Sequence, residues 1–235
     1  MTITSPHNDK LKEIRKLNQR RRWRERSGRF VAEGEDLLAA ADAAGWAPVE
    51  RYCVAGSGLP GTEVERSLLH SASGLGSGTR TLAVYEERWA PTPVGPLCVY
   101  LHGLSDPGNV GAVLRSARAF GASSVVLGPG TADPFSPKAV RASMGAIFAV
   151  VLARVNAVSE LPGRKIALVA GEGRPLREVE CEGVTLLVGA EREGLPADVV
   201  KAADETAQIP IQTHSLNAAT AAAIALYEVT RMAAE

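Results

Sequence analysis

The run Ile209-Pro-Ile-Gln-Thr-His-Ser-Leu-Asn217 leads from a strand-like segment through a polar turn into the alanine-rich stretch Ala218-Ala-Thr-Ala-Ala-Ala-Ile-Ala-Leu-Tyr-Glu228. At such a junction Ser215 or Asn217 caps the helix by accepting a hydrogen bond from an amide without an intrahelical partner. The amides beyond it favour an anion or a polar ligand. A second chemical signal lies at the other end of the chain. Residues 1–29 hold ten Lys and Arg (Lys10, Lys12, Arg15, Lys16, Arg20, Arg21, Arg22, Arg24, Arg26, Arg29) against Asp9, Glu13 and Glu25, so a formally neutral chain is split into +7 and −7 parts. A positive field this concentrated, with Trp23 inside it, suits a phosphate backbone.

Two further segments precede the Ser-Leu-Asn turn: Leu101-His-Gly-Leu-Ser-Asp-Pro-Gly-Asn-Val-Gly-Ala-Val-Leu-Arg-Ser-Ala-Arg118 and Val188-Gly-Ala-Glu-Arg-Glu-Gly-Leu195. In this order and spacing, across roughly residues 97 to 235, the three stretches resemble the three motifs of the SpoU/TrmH family of RNA ribose 2′-O-methyltransferases. The resemblance implies S-adenosylmethionine as cofactor, a trefoil knot in the carboxyl-terminal part, and a homodimer whose knots adjoin. It also implies structured RNA as partner, with 23S ribosomal RNA preferred and transfer RNA open. A non-catalytic RNA-binding protein that keeps the fold is the rival reading, opposed by the presence of Asn109, Arg115, Glu191, Ser215 and Asn217 together.

The resemblance assigns those five residues to catalysis. Arg115 matches an arginine proposed to deprotonate the 2′-hydroxyl, but a guanidinium stays protonated, and a planar donor fork on phosphate and hydroxyl is physically easier. Glu191 either orders the cofactor loops or assists proton removal. Ser215 and Asn217 cap the last helix and orient substrate or Arg115. Cofactor contact falls to Gly189, Ile209 and Leu216, with Ala170 added from the segment 168–173. Gly189 reads as a place where backbone approaches the ligand. RNA contact falls to Arg20, Arg21, Arg22 and Arg141, the last in a family-like segment with Ser143. The turn 211–214 is shorter than the glycine-containing turn of many members, and His214 within it reads as incidental.

These residues need a scaffold. Residues 8–22 repeat Leu11, Ile14 and Leu17 on one side of a predicted helix with cations on the other. A strand at 30–34, a helix at 35–44 ended by Gly45, and strands at 49–55 and 81–85 complete a small α/β unit, residues 1–89. It resembles the amino-terminal substrate-binding domain of many SpoU-type enzymes. Three prolines within 90–96 mark a linker. From 97 to 235 strands and helices alternate: strands at 97–101, 123–127, 147–153, 165–170, 185–188 and 206–209, and helices at 108–120 and 137–144 before the terminal one. Continuous apolar runs such as Val184-Thr-Leu-Leu-Val188 predict strands buried on both faces of a mostly parallel sheet, whose ligands gather at the carboxyl ends of the strands.

Composition bounds the rest. With 235 residues and 46% hydrophobic content the chain can bury a proper core and is expected to fold unaided. No stretch reaches the roughly 18 to 20 apolar residues of a membrane span, and the polar, basic start lacks the apolar segment of a secretory signal, so a cytoplasmic protein is expected. Cys53, Cys98 and Cys181 have no metal-site spacing, the four His are dispersed, and no metal is expected. The turn 74–78 lacks the Walker spacing, and no Gly-x-Gly-x-x-Gly follows the first strand of the second part, which disfavours a nucleotide-binding oxidoreductase.

Overall fold

A computed structural model describes residues 2–74, 78–171, 173–180 and 182–232. The expected packing role of Cys181 and the middle of the Gly-rich turn lie outside the described residues. Two compact units emerge: Met1–Glu87 with Asp133–Phe148, and Arg88–Ala132 with Ala149–Glu235.

In the first unit, helix α1 (Asp9–Gln19) starts where the Asn8 side chain accepts a 3.0 Å bond from Lys10 N. It buries Leu11, Ile14 and Leu17, as their spacing predicts. Extended backbone at Arg20 breaks the helix, and α2 (Arg21–Ser27) ends on Gly28 at φ 63°, a left-handed position that glycine occupies without strain. There follow β1 (Arg29–Glu33), α3 (Glu35–Ala43), β2 (Glu50–Val54), β3 (Thr62–Val64), α4 (Arg66–Ala72) and β4 (Thr81–Glu86). The sheet order is β1-β4-β2-β3, antiparallel except for β2 with β3. Alternation along the strands gives each face its own core. Val31, Tyr52, Leu82 and Val84 pack with Leu11, Ile14, Leu17 and Leu69. Phe30 and Tyr85, paired in register, join Trp46 and two rings from the second stretch of this unit, Phe135 and Phe148.

The chain then enters the second unit through β5 (Leu97–Leu101), α5 (Pro107–Ala119) and β6 (Ser124–Leu127). It returns to the first with α6 (Pro137–Ala142), held there by a buried ion pair, Arg24 Nε to Asp133 Oδ2 at 2.7 Å. A 3₁₀ turn at Ala146–Phe148 ends the return. The strand expected from 147 therefore begins only at Val151, because Ile147 and Phe148 are buried on their own account before the chain rejoins the second sheet. The remaining elements are β7 (Val151–Arg154), β8 (Arg164–Leu168), β9 (Arg174–Pro175), β10 (Val184–Val188), α7 (Ala197–Lys201), β11 (Glu205–Gln208) and α8 (Ala218–Met232). All seven strands pair in parallel in the order β7-β6-β5-β10-β8-β11-β9. β10, the last but one to form along the chain, lies between β5 and β8 and is buried along its whole length. α8 packs along α5. Among the described residues no helix is long and apolar enough to cross a membrane.

Candidate active site

Because the strands run parallel, the loops after β8, β10 and β11 leave the sheet at one edge. There they enclose a cleft of about 600 Å³ lined by Leu168–Ala170, Val188–Leu195 and residues from Ile209 to Ala221. The predicted cofactor residues Ala170, Gly189, Ile209 and Leu216 all line it, as do Glu191 and Ser215.

The middle loop is a closed turn. Ala190 and Gly194 exchange backbone bonds of 3.1 and 3.0 Å, which lifts Glu191, Arg192 and Glu193 to its tip. A Cβ on Gly189 would stand 2.2 Å from the Gly194 carbonyl carbon and 2.4 Å from Leu195 N. The glycine is thus required by the loop's own backbone crossing, a reason nearer to hand than the approach of a ligand.

Asn217, and not Ser215, caps α8: its Oδ1 accepts from Ala219 N at 3.0 Å and Thr220 N at 3.2 Å. Its Nδ2 donates to Asn109 Oδ1 at 3.2 Å, and Asn109 Nδ2 donates to Glu191 Oε1. One residue from each sequence motif is thereby joined in a single chain of side-chain bonds. Asn109 sits in the first turn of α5, which starts at Pro107 with Asp106 Oδ1 accepting from Gly108 N at 2.7 Å. The loop before it is anchored by His102, whose backbone N–H donates to Val188 O at 2.9 Å and whose Nδ1 lies 2.9 Å from the Tyr100 hydroxyl. Burial, with Asp198 and Glu160 nearby, raises the Tyr100 pKa and keeps the phenol protonated.

Arg115 stands apart. It is exposed, does not line the cleft, and makes no hydrogen bond or ion pair with the described residues. In the first unit Arg20, Arg21 and Arg22 are exposed, with Arg21 Nε paired to Glu25 at 2.8 Å. Arg24, counted with the positive field, is only 5% exposed in its side chain and is consumed by Asp133. Arg141 is exposed at the end of α6, beside a small groove shared with Val31, Glu33 and Pro137. Cys53 and Cys98 are buried, and burial pushes the Cys98 thiol above its ordinary pKa, consistent with packing. Sequence reasoning passed over Arg192, Glu193, Leu195 and Ile211 as cleft-lining residues, although the first three lie inside the second motif; His214, read as incidental, also lines the cleft.

Comparison with known proteins decides the family. Residues 96–227 match the SpoU rRNA Methylase family, and residues 8–87 match the MRM3-like substrate binding domain. The chain belongs to the SpoU rRNA methylase family. This SpoU chain is 27% identical, over 97% of its length and 98% of the relative's, to the Bacillus subtilis 23S rRNA (guanosine(2553)-2'-O)-methyltransferase RlmP. It is 35% identical over 97% of its length to the Syntrophobacter fumaroxidans ribosomal RNA small subunit methyltransferase G 2, but spans only 49% of that protein. Several mycobacterial tRNA/rRNA methyltransferases of uncharacterised activity are likewise matched over about half their length. The SpoU fold is shared with the AdoMet-bound rRNA methyltransferase of Sinorhizobium meliloti, at a TM-score of 0.88, 30% identity, and coverage of 99% of this chain and 98% of that one. It is shared too with the AviRb methyltransferase of Streptomyces viridochromogenes in complex with AdoMet, at a TM-score of 0.87, 25% identity, and coverage of 97% and 99%. The family and the two-part α/β architecture read from the motifs are thus borne out.

Proposed function

We propose that this chain methylates a ribose 2′-hydroxyl of structured RNA with S-adenosylmethionine, and that 23S ribosomal RNA is the substrate. The observation that carries the reading is the convergence of the second and third motifs on one cleft, with the first motif joined to it through the Asn217 to Asn109 to Glu191 bonds. A cleft of about 600 Å³ with one apolar wall and a few polar groups is of the size that holds a nucleoside cofactor.

When bound, S-adenosylmethionine supplies a methyl group already activated on sulfonium. Main-chain groups at Ala170, Gly189 and Ile209 hold the ligand, and Leu216 gives it an apolar wall. The hydroxyl needs orientation and a place for its proton, and positioning contributes much of the rate. Glu191 faces the cleft and, among the described residues, makes no hydrogen bond beyond that from Asn109, so Oε2 is available to take the proton or to orient it. Arg115, a permanent cation outside the cleft lining, grips the adjoining phosphate and fixes the hydroxyl, while Ser215 lines the cleft itself. Arg20, Arg21, Arg22 and Arg141 draw in the RNA backbone, and the 2′-hydroxyl itself distinguishes RNA from DNA.

Family membership and the placing of β10 between β5 and β8 support a trefoil knot in the second unit. Ile224 and Tyr227, 38% and 53% exposed on α8, support a homodimer formed through that helix. A cytoplasmic site of action fits ribosomal RNA as substrate. The test is transfer of radiolabelled methyl from S-adenosylmethionine to 23S ribosomal RNA and to transfer RNA, with the modified ribose mapped. Label in 23S RNA is expected; label confined to transfer RNA overturns the substrate, and none in either overturns the activity. Arg115→Ala is expected to keep fold and cofactor binding but lose turnover, and retained turnover removes Arg115 from the mechanism.

A further inference from the structure

Asn109 and Asn217 carry the family pattern of substrate-facing residues, yet neither lines the cleft; each reaches it only through Glu191. The polarity of their bonds is fixed from one end. Two backbone N–H groups of α8 point at Asn217 Oδ1, so that atom must be the oxygen and the other end of the amide must be the donor. Asn109 therefore presents its oxygen to Asn217 and its NH₂ to Glu191, where an ionised carboxylate is an acceptor-only partner. Neither amide can flip without setting two acceptors or two donors face to face. Glu191 in turn belongs to a turn closed by the Ala190 and Gly194 bonds and pressed against Gly189, so the turn moves with it as one piece.

We infer that Asn217 and Asn109 form a positioning relay, anchored in the amino end of α8, that fixes Glu191 and with it the wall of the cofactor cleft. The inference rests on the cleft being the S-adenosylmethionine site, and it makes cofactor affinity depend on two residues that do not touch the cofactor. Asn217→Asp separates relay from cap. An aspartate still accepts from the helix amides but faces Asn109 Oδ1 with a second acceptor; Asn109 can answer it only by turning its oxygen on Glu191.

The experiment is calorimetric titration of the full chain with S-adenosylmethionine, for wild type, N217D, N109A and N109A/N217D, with a melting curve for each. N217D is expected to melt with wild type and to bind about tenfold more weakly, the scale of one hydrogen bond to a charged group. N109A is expected to lose a similar factor, and the double variant no more than the larger single loss, because both substitutions break the same chain. N217D binding within about twofold of wild type, or losses that multiply in the double variant, overturns the relay. N217D alone decides the matter if N109A proves unstable. Wild type that gives no binding heat overturns the cofactor reading, and the relay with it.

Discussion

In the seven-stranded unit every pairing is parallel, so its connecting loops alternate strictly between the two edges of the sheet, and those after β8, β10 and β11 meet at one of them. In the four-stranded unit two of the three pairings are antiparallel, because β4 alone runs against β1, β2 and β3, and exposed cations lie along α1 and α2. A parallel sheet concentrates loops and so builds a site in depth, where a small ligand can be enclosed. A mixed sheet with helices on its faces presents a broad surface, suited to a long polyanion that is held by charge and shape. The same chain thus carries both a recessed cleft and an exposed run of cations.

The sharpest way to break this comparison is Gly189→Val. The added atoms collide with Gly194 and Leu195, the closed turn cannot form, and S-adenosylmethionine binding by calorimetry is expected to vanish. Asp133→Ala strikes the other unit. It leaves Arg24 buried without its partner and is expected to cost about 3–5 kcal/mol in urea unfolding. Cofactor affinity should stay unchanged as long as the protein is folded; a parallel loss of affinity would show that the two units do not act separately. Next in size, Arg20→Glu, Arg21→Glu and Arg22→Glu together should weaken RNA binding and reduce the steepness of its salt dependence by about two in a log–log plot, without altering cofactor binding. An unchanged slope returns this segment to an ordinary solvated helix face. The smallest effect expected is that of Asn217→Ala on stability, about 1 kcal/mol for the lost helix cap, seen as a melting point a few degrees lower.

Much of this was legible before any coordinates. The spacing of Leu11, Ile14 and Leu17 marked the buried side of α1, and the apolar run 184–188 marked a strand covered on both faces, because burial writes a period into sequence. The short elements β3, α4, β9 and α7 were passed over, being too brief to repeat a pattern. Nothing local announces that Phe135 and Phe148 complete an aromatic cluster around Phe30, or that Arg24 is withdrawn from the basic surface to meet Asp133.

What the sequence determined by itself was the family, through its three motifs, and roughly which elements bear them, since residue type and periodicity are local properties. Only the tertiary structure decided that Asn217 caps while Ser215 faces the cleft, that Gly189 is demanded by Gly194 rather than by a ligand, and that Asn109 reaches the site only through Glu191. Those outcomes depend on atoms separated by as many as 108 positions along the chain, whose meeting is fixed by the order in which parallel strands are laid side by side.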